Sequence, residues 1–310
     1  MKILRGWHDL APEDRGACLA FGAFDGLHRG HQHVVAAAGE AARRQHAPLG
    51  AVAFEPHPWR WFNPEDPPFL LATPGQQARQ FEALGVQRLY ILPFDDHLAH
   101  LSAEAFVAEV LVQGLGVRHV VVGFDATFGR GRTGNAELLK ALGETHGFGV
   151  TIVAAVADHS GYKLSSTAAR RALQAGDPKT ATAILGRPFA IEGVVEQGRR
   201  LGRTLGFPTA NVSLGEYIRP RLGIYATRTH MADGRVLEGV SSVGENPTVG
   251  RVEARLEVFL FDFDEEIYGQ VVETELVDFL RPEHKFASLE ELITQMKADA
   301  VKARHLLHSR

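Results

Sequence analysis

Apolar runs of strand length alternate with longer amphipathic stretches through the first half of the chain. Runs at 18–24, 49–54, 88–93, 117–124 and 150–156 read as buried strands, and segments 30–44, 75–84, 103–115 and 136–146 read as helices. That rhythm predicts an α/β unit, a parallel sheet with helices on both faces. Ligands of such sheets bind beyond the carboxyl ends of the strands. Beyond Leu185-Gly186-Arg187-Pro188 the pattern changes. Runs at 189–197, 223–231, 236–243, 255–263 and 270–280 follow one another with turns and no amphipathic helix between them. This predicts an antiparallel β unit, which closure into a small barrel would relieve of its edges. Two short helices stand before the change. Ser165-Ser166-Thr167 starts one and Gly176 ends it, and Asp177 before Pro178 caps the other. A last helix opens on a capping box, Ser288 and Glu291, with Leu289, Leu292, Ile293, Met296, Ala300, Ala303 and Leu307 as its apolar stripe.

Composition narrows the class. The chain has 310 residues, 45% hydrophobic and 23% charged, which fits two globular domains with sizeable cores. A net charge of -4 gives no basic balance, so no nucleic-acid partner is expected. The single cysteine, Cys18, sits in a strand run and reads as a small packed residue. The start lacks the apolar core of a signal peptide, and no run approaches a membrane span, so a cytoplasmic protein without membrane partners is expected.

Three segments carry chemistry. His28-Arg29-Gly30-His31 follows the first apolar run and a turn-like Asp25-Gly26, and opens the first long helix. Two imidazoles three residues apart share one side of a helix. At a helix start they lie beside unpaired backbone N–H groups and the positive end of the dipole, a setting for phosphate. The plainer reading is one surface histidine and one packed histidine; Gly30 and the turn, which permit close backbone approach, shift the balance. Ser165-Ser166-Thr167, with Arg170 on the next turn, is a second phosphate-binding helix start, though alone it would read as an N-cap. The third segment is Gly123-Phe124-Asp125 with the basic loop Gly129-Arg130-Gly131-Arg132-Thr133-Gly134. Its glycines fit G-x-G-x-x-G, with Asp158 after the next strand, but Asp125 to Phe128 separate the strand from the first glycine. The arginines suggest a mobile cover over phosphates instead. No G-x-x-x-x-G-K-[ST] loop occurs, so a Walker-type kinase is not expected.

The segments 21–31 (Phe-Gly-Ala-Phe-Asp-Gly-Leu-His-Arg-Gly-His), Phe54-Glu55-Pro56-His57-Pro58 and Ser165-Ser166-Thr167-x-x-Arg170 resemble the adenylyltransferase half of the prokaryotic bifunctional riboflavin kinase/FAD synthetases. Segments 202–211 (Gly-Arg-Thr-Leu-Gly-Phe-Pro-Thr-Ala-Asn) and 280–286 (Leu-Arg-Pro-Glu-His-Lys-Phe) resemble the kinase half. The resemblance spans nearly the whole chain in the family's order. It implies a Rossmann-like nucleotidyltransferase domain at 1–185 and a small antiparallel β-barrel riboflavin-kinase domain with a terminal helix at 186–310. It implies riboflavin phosphorylation by ATP to FMN, then adenylylation of FMN by a second ATP to FAD and pyrophosphate. The small-molecule substrates are ATP, riboflavin and FMN, with Mg2+ as cofactor; a homo-oligomer is left open.

The family's site residues fall here on Gly22, Phe24, Asp25, His28, Gly30, His31, His57, Asp125, Phe128, Ser166, Thr167 and Arg170 in the first half. His28, His31 and Arg170 would neutralise the leaving phosphates, because an FMN phosphate is already an anion and needs no strong base. In the second half the resemblance implies Glu257 as the general base for the ribityl hydroxyl. Thr209 and Asn211 are the implied magnesium ligands. Gly198, Arg203, Thr204, Gly206, Pro208 and Arg281 would surround the nucleotide, 198–206 as a flap. The chain departs from the family's usual residues at Leu70, Ala126, Thr127, Asn246 and Phe259. Two other readings therefore stay open: a riboflavin kinase with a weak or inactive adenylyltransferase half, and a flavin-binding regulator without turnover.

Overall fold

The computed structural model describes residues 1–155, 164–197, 207–248 and 251–308, with backbone alone at 246–248 and 251–253. The chain divides into two compact units, Met1–Asp66 with Pro74–Leu164, and Pro67–Thr73 with Ser165–Arg310. The expected join at 185/186 thus lies 21 residues beyond the boundary at 164/165.

The first unit is built on a parallel sheet. Its strands are β1 (Lys2–Arg5), β2 (Cys18–Ala20), β3 (Leu49–Glu55), β4 (Arg88–Pro93), β5 (His119–Gly123) and β8 (Gly149–Val153), in the order β1-β4-β3-β2-β5-β8. The chain steps outward from β2 through β3 to β4, then returns to place β5 on the other side of β2. The topological switch point, where such sheets hold ligands, is therefore at the carboxyl ends of β2 and β5. Alternation within β2 serves both faces. Cys18 and Ala20 pack on Val34, Val35, Ala38 and Ala41 of α1 (Arg29–Arg44). Leu19 packs on the opposite layer with Phe106, Val110, Leu111 and Leu139. Helices α2 (Pro58–Phe62), α3 (Pro74–Ala83), α4 (Asp96–His100), α5 (Ala103–Ala105) and α6 (Ala136–His146) complete the unit.

Four features differ from the sequence reading. Strand β1 is an edge strand with only Leu4 buried, so it carries no apolar run to read. Strand β2 stops at Ala20 because the following turn takes positive φ at Phe24 (52°), Gly26 (75°) and Leu27 (37°). The helix beginning at Ala103 widens into a π-helix over Phe106–Gly114, where a Cβ on Gly114 would lie 2.8 Å from the Trp7 carbonyl oxygen. The glycine–arginine loop is an anchored hairpin, β6 (Thr127–Phe128) paired with β7 (Gly134–Asn135). The Arg130 N–H donates to the Leu101 carbonyl at 2.7 Å, and a Cβ on Gly129 would lie 2.7 Å from the Ala103 backbone. Gly129 and Gly134 serve close packing, which corrects the expectation of a mobile cover; Asp158 lies outside the described residues.

The second unit opens with α7 (Ser166–Ala175) and α8 (Pro178–Leu185). The expected caps form: Ser165 Oγ accepts from Ala168 N at 3.2 Å and Asp177 Oδ1 from Thr180 N at 3.0 Å. Six antiparallel strands follow, β9 (Phe189–Val194), β10 (Thr209–Ser213), β11 (Gly223–His230), β12 (Val236–Thr248), β13 (Arg251–Leu260) and β14 (Val271–Arg281). Their order is β10-β13-β12-β11-β14-β9, and a bridge between Glu196 and Asn211 ties the two edge strands, so the sheet curls toward closure. Four hydroxyls buried among the described residues satisfy one another, Thr227 with Ser241 at 2.8 Å and Thr229 with Thr274 at 3.0 Å. Terminal helix α9 (Leu289–His308) buries Ala303 and Leu307 against Ala226, Phe261, Val277 and Leu280. Leu289, at the head of the expected stripe, is instead exposed. Segment Pro67–Thr73 joins this unit through Leu70, whose N–H and carbonyl pair with Glu216 O and Ile218 N, both at 2.9 Å.

Candidate active sites

In the first unit the turn after β2 delivers His28 as the N-cap of α1. Its Nδ1 accepts from the His31 N–H at 3.3 Å, so in the neutral ring the proton sits on Nε2. The two imidazoles stack, with centroids 3.6 Å apart and 25° between planes. Gly30 is required by that fold-back, since a Cβ there would lie 2.9 Å from His28 Cε1 and 3.0 Å from Nδ1. Phe24, buried, meets the His31 ring edge-on at 5.1 Å. His31 Nδ1 is buried with no hydrogen-bond partner among the described residues. Burial, and secondly the neighbouring His28, push the His31 pKa well below the ordinary 6.5. A ring so shifted is neutral at pH 7 and has a hydrogen bond to offer, not a positive charge.

The remaining first-half residues are dispersed in role. Gly22 abuts the Phe24 ring, and Asp25 is buried in the turn. Asp125 is exposed just beyond the carboxyl end of β5. Phe128 is a core residue, its ring against Phe21 and Phe106. His57 caps α2, its Nδ1 accepting from Trp59 N at 3.1 Å. That short helix exposes a feature the sequence reading missed: Trp59 (51% exposed), Trp61 (38%) and Phe62 (61%) form a surface aromatic group just beyond the carboxyl end of β3. Phe94 backs it, 5.7 Å from Phe62 and 6.4 Å from Trp61. The signal was present in Pro58-Trp59-Arg60-Trp61-Phe62, too short for a core helix and too aromatic for a plain loop.

Ser166, Thr167 and Arg170 begin α7 in the second unit. Thr167 is exposed. Arg170 Nε donates to the Phe69 carbonyl at 2.8 Å, and its guanidinium lies 5.5 Å over the Phe69 ring.

The kinase-type residues do come together. Register pairs Asn211 of β10 with Glu257 of β13, and Thr209 with Phe259, so all four share one face. Asn211 is buried at 6% exposure because Glu196 N donates to its carbonyl at 2.8 Å where the curled sheet meets itself. Phe259 packs against Phe207 at 4.9 Å. At Thr209 and Asn211 opens a cavity of about 200 Å³, lined also by Pro208, Leu260, Ile267 and Tyr268 among others; Glu257 and Phe259 are not among its lining residues. Thr and Asn offer neutral oxygens, a donor set that suits a hard cation which keeps waters and takes phosphate oxygens as its other ligands. Arg281, expected at the nucleotide, is locked on Asp299 instead: Nε reaches both carboxylate oxygens at 3.1 and 3.0 Å and Nη2 reaches Oδ2 at 2.8 Å. Gly198, Arg203, Thr204 and Gly206 lie outside the described residues.

A helix-start histidine pair at the switch point of a parallel sheet, joined in one chain to a hydroxyl–amide–carboxylate face on a β unit, is an arrangement that suits a two-part nucleotide-dependent transferase. Comparison with known proteins gives the particular kind. The FAD synthetase family model matches residues 10–168 and the riboflavin kinase model matches residues 185–307. The bifunctional riboflavin kinase/FMN adenylyltransferase of Pseudomonas fluorescens is 42% identical over 99% of this chain and 98% of its own length. That of Escherichia coli K12 is 38% identical over 98% and 97%. The chain belongs to the family of bifunctional riboflavin kinase/FMN adenylyltransferases. A solved structure described as a macrolide-efflux protein from Streptococcus pneumoniae is 34% identical, with a TM-score of 0.86 over 96% of this chain and 97% of that one. No helix among the described residues here is long and apolar enough to cross a membrane.

Proposed function

We propose that the chain phosphorylates riboflavin with ATP to give FMN, and then adenylylates FMN with a second ATP to give FAD and pyrophosphate. The kinase reaction is assigned to 186–310 and adenylyl transfer to 1–185. The observation that carries the first reaction is the pairing of Asn211 with Glu257 across β10 and β13, with Thr209 on the same face and the cavity beside them.

A hydroxyl nucleophile must lose its proton as it attacks the γ-phosphate, and in this reading the Glu257 carboxylate takes it. Thr209 and Asn211 would hold Mg2+, which when bound supplies positive charge to the phosphate oxygens. The apolar part of the cavity, with Val258, Leu260 and Ile267, takes the purine of ATP, and Pro208 stiffens the approach to Thr209.

In adenylyl transfer the FMN phosphate attacks the α-phosphate of ATP and pyrophosphate leaves. His28 and His31 supply hydrogen bonds to phosphate oxygens, and Ser166, Thr167 and Arg170 are carried as further phosphate contacts by their match to the family's motif alone. The buried orphan Nδ1 of His31 supports that role. The exposed Trp59, Trp61 and Phe62 offer a flat aromatic platform for an isoalloxazine ring.

The test is incubation of the full chain with FMN, ATP and Mg2+, and separately with riboflavin, ATP and Mg2+, the flavins being resolved by chromatography. FAD from the first and FMN plus FAD from the second are expected. FMN left unchanged in the first would leave a kinase alone, and no product in either would leave a binding protein.

A further inference from the structure

We infer that Arg235, which does not line the kinase-half cavity, is a positioning residue for ATP there: it clamps the irregular segment that forms one cavity wall. The inference rests on the reading of that cavity as the nucleotide site. The wall is 263–268, six consecutive residues without regular secondary structure that all line the cavity. Its far end is pinned by backbone, with Gln270 N on Ile267 O at 3.1 Å and Gly269 N on Val195 O at 2.9 Å. Its middle is held by a side chain from the turn between β11 and β12. Arg235 grips Glu265 with both terminal nitrogens, at 2.6 and 2.9 Å. Its Nε donates to Asp233 Oδ2 at 2.7 Å, and its own backbone N–H donates to Asp233 Oδ1 at 3.0 Å. The guanidinium lies 5.6 Å over the Phe263 ring.

A lone surface ion pair would do little, because water and salt screen it and the side chains lose freedom. Here one guanidinium is fixed by two carboxylates in fork geometry, the arrangement in which exposed pairs do acquire strength. Hydrogen bonds to Arg235 lower the pKa of both Asp233 and Glu265. The clamp also has an electrostatic consequence. Asp264, Glu265 and Glu266 are three acidic residues in the wall of a cavity that, in this reading, admits a polyanion. Arg235 neutralises Glu265 and holds it in place. Its effect therefore falls on ATP affinity and not on the transfer step at Glu257.

The experiment is steady-state kinetics of both reactions on the full-length protein carrying Arg235→Ala, with Ala210→Leu as a second variant that narrows the cavity directly. For Arg235→Ala, KM for ATP in riboflavin phosphorylation rises roughly three- to fivefold, the scale of a networked surface ion pair. Its kcat holds, and KM for ATP in FMN adenylylation does not move. An unchanged kinase KM in Arg235→Ala, with a raised one in Ala210→Leu, would overturn the clamp and keep the cavity assignment. No change in either variant would remove the cavity assignment and the clamp together. A parallel loss of kcat in both reactions would show a general folding role and also overturn the clamp.

Discussion

At the residue scale the decisive position is His31. Sequence reasoning places it beside His28 at a helix start, where a cationic imidazole would seem useful. The folded ring is buried, stacked on His28 and held neutral. The consequence is a pH dependence whose sign follows from linkage. The unfolded chain takes a proton on His31 near the ordinary 6.5, whereas the folded chain resists it until well below that value. The stability contributed by the neutral, buried ring is present above 6.5 and is lost as pH falls from there toward the folded pKa. Thermal melts between about pH 7.5 and about pH 5.5 will show a smaller drop for His31→Gln than for the wild type. Equal drops would mean that the ring is already charged in the fold. Gly30 belongs to the same account: it is glycine because the His28 ring occupies the space a Cβ would need.

At the scale of elements, the described part of the molecule follows local rules that can be read from residues. Ser165, Asp177 and Ser288 all cap the helices they announce, and β4 and α6 begin and end where the apolar pattern does. What could not be read depends on neighbours distant in sequence. Strand β1 forms because β4 offers it an edge, with Lys2 to Arg5 in register with Arg88 to Ile91. The π-helix forms where Gly114 meets the Trp7 backbone. Arg281 looks like a nucleotide contact in its motif, yet Asp299, eighteen residues on, claims it, and Gln295 Nε2 adds a bond to the same carboxylate at 2.9 Å. Arg281 and Asp299 thus fasten α9 to β14. Arg281→Ala leaves a carboxylate at 4% exposure without its cation, and denaturant unfolding of the second unit should show a loss of roughly 3–5 kcal/mol. A loss confined to ATP affinity with stability intact would return Arg281 to the nucleotide.

At the scale of the whole molecule, the proposal joins two chemistries with different demands in one chain. Adenylyl transfer starts from an anion and needs charge and alignment, which helix starts and histidines provide. Kinase chemistry starts from an alcohol and needs a base, the role proposed for the strand-borne carboxylate of Glu257. Much of the candidate kinase site was legible in the sequence because period-two alternation puts Thr209 with Asn211, and Glu257 with Phe259, on strand faces. That those two strands are neighbours, and that a cavity opens beside them, required the fold. The aromatic group on α2 escaped because an exposed Trp-rich turn has no periodicity to betray it. The separation of the two chemistries is tested most directly by Glu257→Gln assayed for both reactions. The account predicts that FMN formation from riboflavin falls by roughly 100- to 10,000-fold, as for loss of a positioned base, while FAD formation from supplied FMN continues at the wild-type rate. Equal loss of both, or undiminished FMN formation, would contradict it.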